Sequence, residues 1–91
     1  MKPISFSSHA RLQMLLRGAE ESEVIYAIRE GVREQARRGQ FLARSHFQFG
    51  RESPVSGRYY KHKMVEAIFA DEGEEVVVVT VKVYYSNEDT I

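Results

Sequence analysis

The run VVVVTVKVYY, residues 76–85, constrains the chain more than any other stretch. Its residues are almost all β-branched or aromatic and suit a pleated, half-buried surface. The DEGE before it, at 71–74, supplies the turn chemistry of a hairpin. The odd positions Val77, Val79, Val81 and Val83 are apolar, as are Val65, Ala67 and Phe69 in the strand before. Placing both sets on one face sets Val65 opposite Val81 and leaves the loop Glu72-Gly73-Glu74, with Gly73 left-handed. The other face then carries His62 across from Tyr84, Met64 across from Lys82 and Glu66 across from Thr80. Lys61 and Lys63 fall on the core side, near the strand's early end, where long stems can snorkel outward.

Upstream the period is helical. Pro3 opens a short edge strand at residues 4–7, and Ser7 or Ser8 offers an N-cap for a helix reaching about Arg17. Leu12, Leu15 and Leu16 form the most apolar side of this helix, and Gly18 ends it. A second helix is expected over 21–30, with Val24, Ala27 and Ile28 at helical spacing and Gly31 as its stop. The period then becomes two. In QFLARSHFQFG, residues 40–50, Phe41, Ala43, Phe47 and Phe49 share one face, and Leu42, Arg44, His46 and Gln48 the other. GRESPVSGR, at 50–58, concentrates turn formers and is expected to be a loop.

Ninety-one residues form one domain, since a chain of this size buries only about 60–70% of its unfolded surface. There is no cysteine, hence no disulfide framework and no thiolate metal site. No apolar run approaches the roughly 18 residues that span a bilayer, and MKPISFSSHARLQMLLRGAEE is not patterned as a secretory signal, so a soluble cytoplasmic protein without membrane contact is expected. The formal charge is zero but segregated. Residues 29–63 carry nine basic groups against three acidic ones, and residues 64–91 carry Lys82 alone against seven acids. Such a dipole draws a polyanion to one end. The plainer alternative is that the charges lie on the wet faces of hairpin strands.

SFSSHARLQMLLRGAEESEVIYAIREG, at 5–31, and YKHKMVEAIFADEGEEVVVVTVKVYY, at 60–85, resemble a family of short prokaryotic proteins of unknown function grouped near the RelE/ParE toxin superfamily. Ser7, His9, Ala10, Met14, Arg17, Gly18, Glu23, Val24, Lys63, Val65, Val79, Thr80, Val81 and Tyr84 carry the resemblance. Gln13 and Ala19 depart from it, standing where arginine and isoleucine are usual. The resemblance implies an α+β fold, with two N-terminal helices packed on one face of a small antiparallel sheet. It also implies a toxin-type activity on mRNA held in check by an antitoxin.

Toxins of the RelE kind cleave RNA without a metal: the ribose 2′-hydroxyl attacks the adjacent phosphate, Arg and Lys stabilise the charge that develops, and His, Glu or Tyr moves protons. The residue types are present. His62, Tyr84, His46 and Lys82 are the candidate catalytic groups, and Arg44, Lys63 and Arg17 the candidate RNA contacts. His9, in the first helical turn, more simply fixes the helix start. His9, His46 and His62 come from separate elements without metal-ligand spacing, and no cofactor motif is present. Arg37 and Arg38 with Gly39 form a solvated turn or touch phosphates. Phe41, Phe47 and Phe49 fit the core better than a base-stacking platform. Tyr59, Tyr60, Tyr84 and Tyr85, at strand ends, suit an interface or a nucleic-acid surface. A second class of function fits the same residues: a non-catalytic module that pairs with a partner protein, or with itself as a homodimer, through an exposed strand edge.

Overall fold

The computed structural model describes residues 2–88. In chain order the elements are β1 (Ile4–Phe6), α1 (Ser8–Arg17), α2 (Glu21–Glu30), β2 (Glu34–Gln35), a 3-10 turn (Arg37–Gly39), β3 (Phe41–Glu52), β4 (Tyr59–Asp71) and β5 (Val76–Ser86). The strands form one sheet in the order β1-β5-β4-β3-β2, antiparallel except for the parallel pair β1–β5. Both helices lie on one face, α1 over β5 and α2 over β3 and β4. This is the expected α+β class.

The helix ends follow from their residues. The Ser7 side chain accepts the Ala10 N–H at 3.0 Å, which satisfies one orphan donor of α1. Gly18 takes the left-handed conformation (φ 79°) and donates to the Met14 carbonyl. A Cβ at Gly18 would lie 2.8 Å from the Tyr85 hydroxyl and 2.9 Å from Pro54. Gly18→Ala is therefore expected to cost about 1–2 kcal/mol from the left-handed backbone alone, with the urea midpoint as the readout; an unchanged midpoint would contradict the cap. Gly31 ends α2 for a different reason: its backbone is extended, but a Cβ there would meet the Ala27 and Arg44 carbonyls at 2.5 and 2.7 Å.

The face that α1 buries is not its leucine side. Ala10 and Met14 face the core, whereas Leu12, Leu15 and Leu16 are exposed, Leu15 at 80%. The helix is turned by its neighbour β5. Gln13 Oε1 accepts the Val81 N–H at 2.8 Å and the Arg17 guanidinium donates to the Val81 carbonyl at 2.7 Å. These two side chains cap a strand edge that β1 leaves uncovered beyond Val78. The Arg-to-Gln departure at position 13 thus has a structural role in this chain.

The hairpin register also differs from expectation. His62 lies opposite Ser86, Met64 opposite Tyr84 and Glu66 opposite Lys82. The ladder shifts between Ile68, opposite Thr80, and Phe69, opposite Val78, so Val79 is an extra residue in a bulge. A bulge reverses which side chains face inward. Val76 and Val78 are buried before it and Val81 after it, while Val77 and Val79 are only half-buried. Asp71 pairs with Val76 and the Glu72 N–H donates to the Glu75 carbonyl, so the connection has four residues, with Gly73 left-handed (φ 84°) as expected. The expected loop at 50–58 is shorter too, because Arg51 and Glu52 pair with Tyr60 and Tyr59 beyond a second irregularity after Gln48.

The core gathers Ala10, Met14, Val24, Ile28, Ala43, Val65, Ala67, Phe69, Val76, Val78 and Val81, with Phe41 and Phe47 packed against it. At its end near Asp71, that carboxylate accepts from Lys2 at 2.6 Å, from Arg33 at 3.0 Å and from the Gly73 N–H, which hold it well below the usual carboxylate range.

Candidate nucleic-acid interface on the open sheet face

The helices leave the other face of the sheet open, and its side chains form rows across the strands. Leu42, Ile68 and Thr80 make one row; Arg44, Glu66 and Lys82 the next; His46, Met64 and Tyr84 the third; Gln48, His62 and Ser86 the last. The structure therefore brings Arg44 and His46 onto the face that carries His62. It does not set His62 opposite Tyr84. His46 and Tyr84 flank Met64 instead, with backbones two strand spacings, or roughly 10 Å, apart.

All three of the expected RNA contacts, Lys63, Arg44 and Arg17, are otherwise engaged. Lys63 is 1% exposed: its Nζ turns inward to the Gly18 carbonyl at 2.6 Å and Glu23 Oε1 at 2.7 Å, so it does not snorkel and is closed to a phosphate. The same Glu23 oxygen accepts the Glu20 N–H at 2.9 Å. One ion pair thus ties β4 to the turn between the helices. Arg44 is held between Glu34 and Glu66, each at 3.2 Å. Glu66, nearly buried, is compensated by that arginine. Arg17 keeps its bond to Val81 and lines a small hollow of about 240 Å³ with Lys82, Val83 and Tyr84. His62 borders a separate hollow beside Gln48, Tyr59 and Lys61.

Arg37 and Arg38 emerge as site residues that the sequence pattern left between a solvated turn and a phosphate contact. Segment 36–40 is closed by bonds between Ala36 and Gln40 and between Gln40 and Arg37. Arg38 adopts φ 58°, ψ 36°, an uncommon left-handed conformation for a side-chain-bearing residue. Ala36, Arg37, Arg38 and Gln40 from this segment line a hollow of about 560 Å³ whose other walls are Ile68, Thr80 and Lys82 on the open face. Arg37, Arg38 and Lys82 enter no ion pair or side-chain hydrogen bond among the described residues. Three uncompensated cations around one concavity, with an apolar and hydroxyl floor, attract an anion. The dibasic sequence before Gly39 signalled the charge; nothing in it told that the turn reaches β4 and β5.

Most positions that carried the resemblance have structural duties: Ser7 caps α1, Ala10, Met14, Val24, Val65 and Val81 fill the core, Arg17 covers an edge, and Gly18, Glu23 and Lys63 join the helical turn to the sheet. Val79 is the extra residue of the β5 bulge; His9, Thr80 and Tyr84 are left without such a duty, and the last two lie on the open face. A family model, the domain of unknown function DUF4258, matches residues 6–83. The chain belongs to that family. Neither the curated proteins nor the solved structures contain a match. In this DUF4258 chain no helix among the described residues is long and apolar enough to cross a membrane, and no group of three or more His, Asp and Glu side chains among them converges as metal ligands would.

Proposed function

We propose that the chain is an RNA-binding protein of the RelE/ParE toxin type that engages single-stranded RNA on its open sheet face. The observation that carries this is the trio Arg37, Arg38 and Lys82, unpaired around one hollow. Phosphates sit against these cations, and the strand runs on past Tyr84, which is 47% exposed and offers a ring for a base to stack on. An antitoxin covering this face silences the protein.

The same face holds groups for cleavage without a metal. His46 takes the proton of the ribose 2′-hydroxyl as O2′ attacks phosphorus. The P–O5′ bond breaks, Tyr84 donates the proton that the leaving oxygen needs, and a 2′,3′-cyclic phosphate and a 5′-hydroxyl result. Lys82, two residues from Tyr84 along β5, stabilises the charge on the phosphate oxygens. His62, one row away, positions the chain. Cleavage of a defined RNA in chelator tests the chemistry: His46→Ala and Tyr84→Phe are each expected to slow it about 100-fold, with His9→Ala unchanged. Tight RNA binding by a protein that cuts nothing would remove the catalytic step and keep the binding.

A second function, a non-catalytic module acting through a protein partner, is favoured by a separate observation, the exposed Leu12, Leu15 and Leu16 of α1.

A further inference from the structure

We infer that β5 and α1 together form the interface of a two-fold homodimer, in which β5 pairs antiparallel with β5 of a second copy. The surface goes beyond RNA binding: it rests on the outward backbone edge of β5 and on the leucines of α1, and it shares only Lys82 and Tyr84 with the proposed RNA surface. The Val81 N–H and C=O point away from β4, since Gln13 and Arg17 of α1 take them. Strand alternation carries this outward direction on to Val83 and Tyr85. Neither β1, which ends opposite Val78, nor any other strand lies alongside them.

The caps fix the register. Val81 is already satisfied, and beyond Ser86 the Asn87 side chain is bound to Lys61 and Tyr59 of β4. The stretch left for pairing is 82–86. Its outward residues bond fully when Val83 meets the second copy's Tyr85 and Tyr85 its Val83, with Tyr84 on the two-fold axis facing itself. Lys82 then lies opposite Ser86 rather than another lysine, so no like charges meet across the seam.

The helix supplies the remaining area. His9, Leu12, Gln13 and Leu16 share one flank of α1 at helical spacing, and Gln13 reaches the β5 edge, so this flank looks out over the seam. It carries no formal charge with histidine neutral, and it exposes Leu12 at 53% and Leu16 at 61%. Helix packing on the second copy's same flank buries both. A stable interface needs about 1,200–2,000 Å² in total. Four edge hydrogen bonds alone fall short of that, and two leucines on an isolated helix fall short as well; the strand and the helix acting together are what a second copy of this chain covers.

The test is solution mass with site-directed cross-linking, independent of any RNA. Wild type at high micromolar concentration is expected at twice the chain's 10.5 kDa, the Leu12→Glu/Leu16→Glu variant at the single-chain mass, and Arg29→Glu, an equal charge change at an exposed position on α2, at twice. Because the chain has no cysteine, Tyr84→Cys should form a disulfide between copies under mild oxidation, its Cα atoms meeting at about 4.5 Å in a non-hydrogen-bonded pair. Lys82→Cys should not exceed the collision background. A wild-type monomer, a dimer indifferent to the leucine changes, or cross-linking at 82 in preference to 84 would overturn the inference.

Discussion

Glu23→Gln is expected to destabilise the protein by about 3–5 kcal/mol, the cost of leaving a buried charge without its partner. The Lys63 ammonium is 1% exposed and has two acceptors, Glu23 and the Gly18 carbonyl. Glutamine keeps the shape and an acceptor oxygen but removes the charge, so the ammonium is left dry without a counter-charge. The reverse change, Lys63→Met, should cost less: the Glu23 side chain is 14% exposed and can turn toward water, and the methionine fills the lysine stem's space. Combining Lys63→Met with Glu23→Gln should recover part of the loss, because a neutral, well-packed pair avoids the desolvation penalty altogether. Thermal melts suffice, since 3 kcal/mol lowers Tm by more than about 12 °C in a domain of this size. Equal losses for the two single variants would contradict the picture of a dry ammonium beside a wetter carboxylate.

That pair shows how far the sequence could be read. Side-chain alternation placed Lys63 on the core side, and Glu23 lies on a helix whose ends, 21 and 30, match the structure. Their meeting depends on how the turn at Gly18–Glu20 lies over the sheet, a three-dimensional relation that no local pattern records. The hairpin failed for another reason. Val76, Val77, Val78 and Val79 are chemically identical, so the bulge at Val79 leaves the sequence pattern unchanged while reversing the inward face. The leucines of α1 misled because apolar character is not burial: hydrogen bonds between the Gln13 and Arg17 side chains and the Val81 backbone set the helix rotation, and Ala10 and Met14 fit beneath it. On the open face, alternation correctly grouped Arg44, His46, His62, Lys82 and Tyr84. The two-residue shift in register moved Tyr84 from His62 to Met64, and the ion pairs of Arg44 lay beyond any pattern of spacing.

The largest functional effect is expected at the hollow beneath segment 36–40. Each phosphate neutralised by a single-strand binder adds about 0.7 to the slope of log affinity against log salt. Replacing Arg37, Arg38 and Lys82 by glutamine should therefore lower that slope by about 2 and weaken binding at low salt far more than tenfold. Arg44, held by two carboxylates, and Lys63, buried, should contribute little to the slope. The comparison must hold net charge constant, because removing any three cations makes the whole protein acidic and weakens encounter with a polyanion.

The most direct measurement is the salt dependence of binding to a fluorescent single-stranded RNA. It compares wild type, the Arg37→Gln/Arg38→Gln/Lys82→Gln variant, and a control with the same charge change at the exposed Arg11, Arg29 and Arg58. A slope reduced by about 2 in the first variant and nearly unchanged in the control places the phosphates on the open sheet face. Equal slopes for the two variants, or no RNA binding by wild type at low salt, would contradict it.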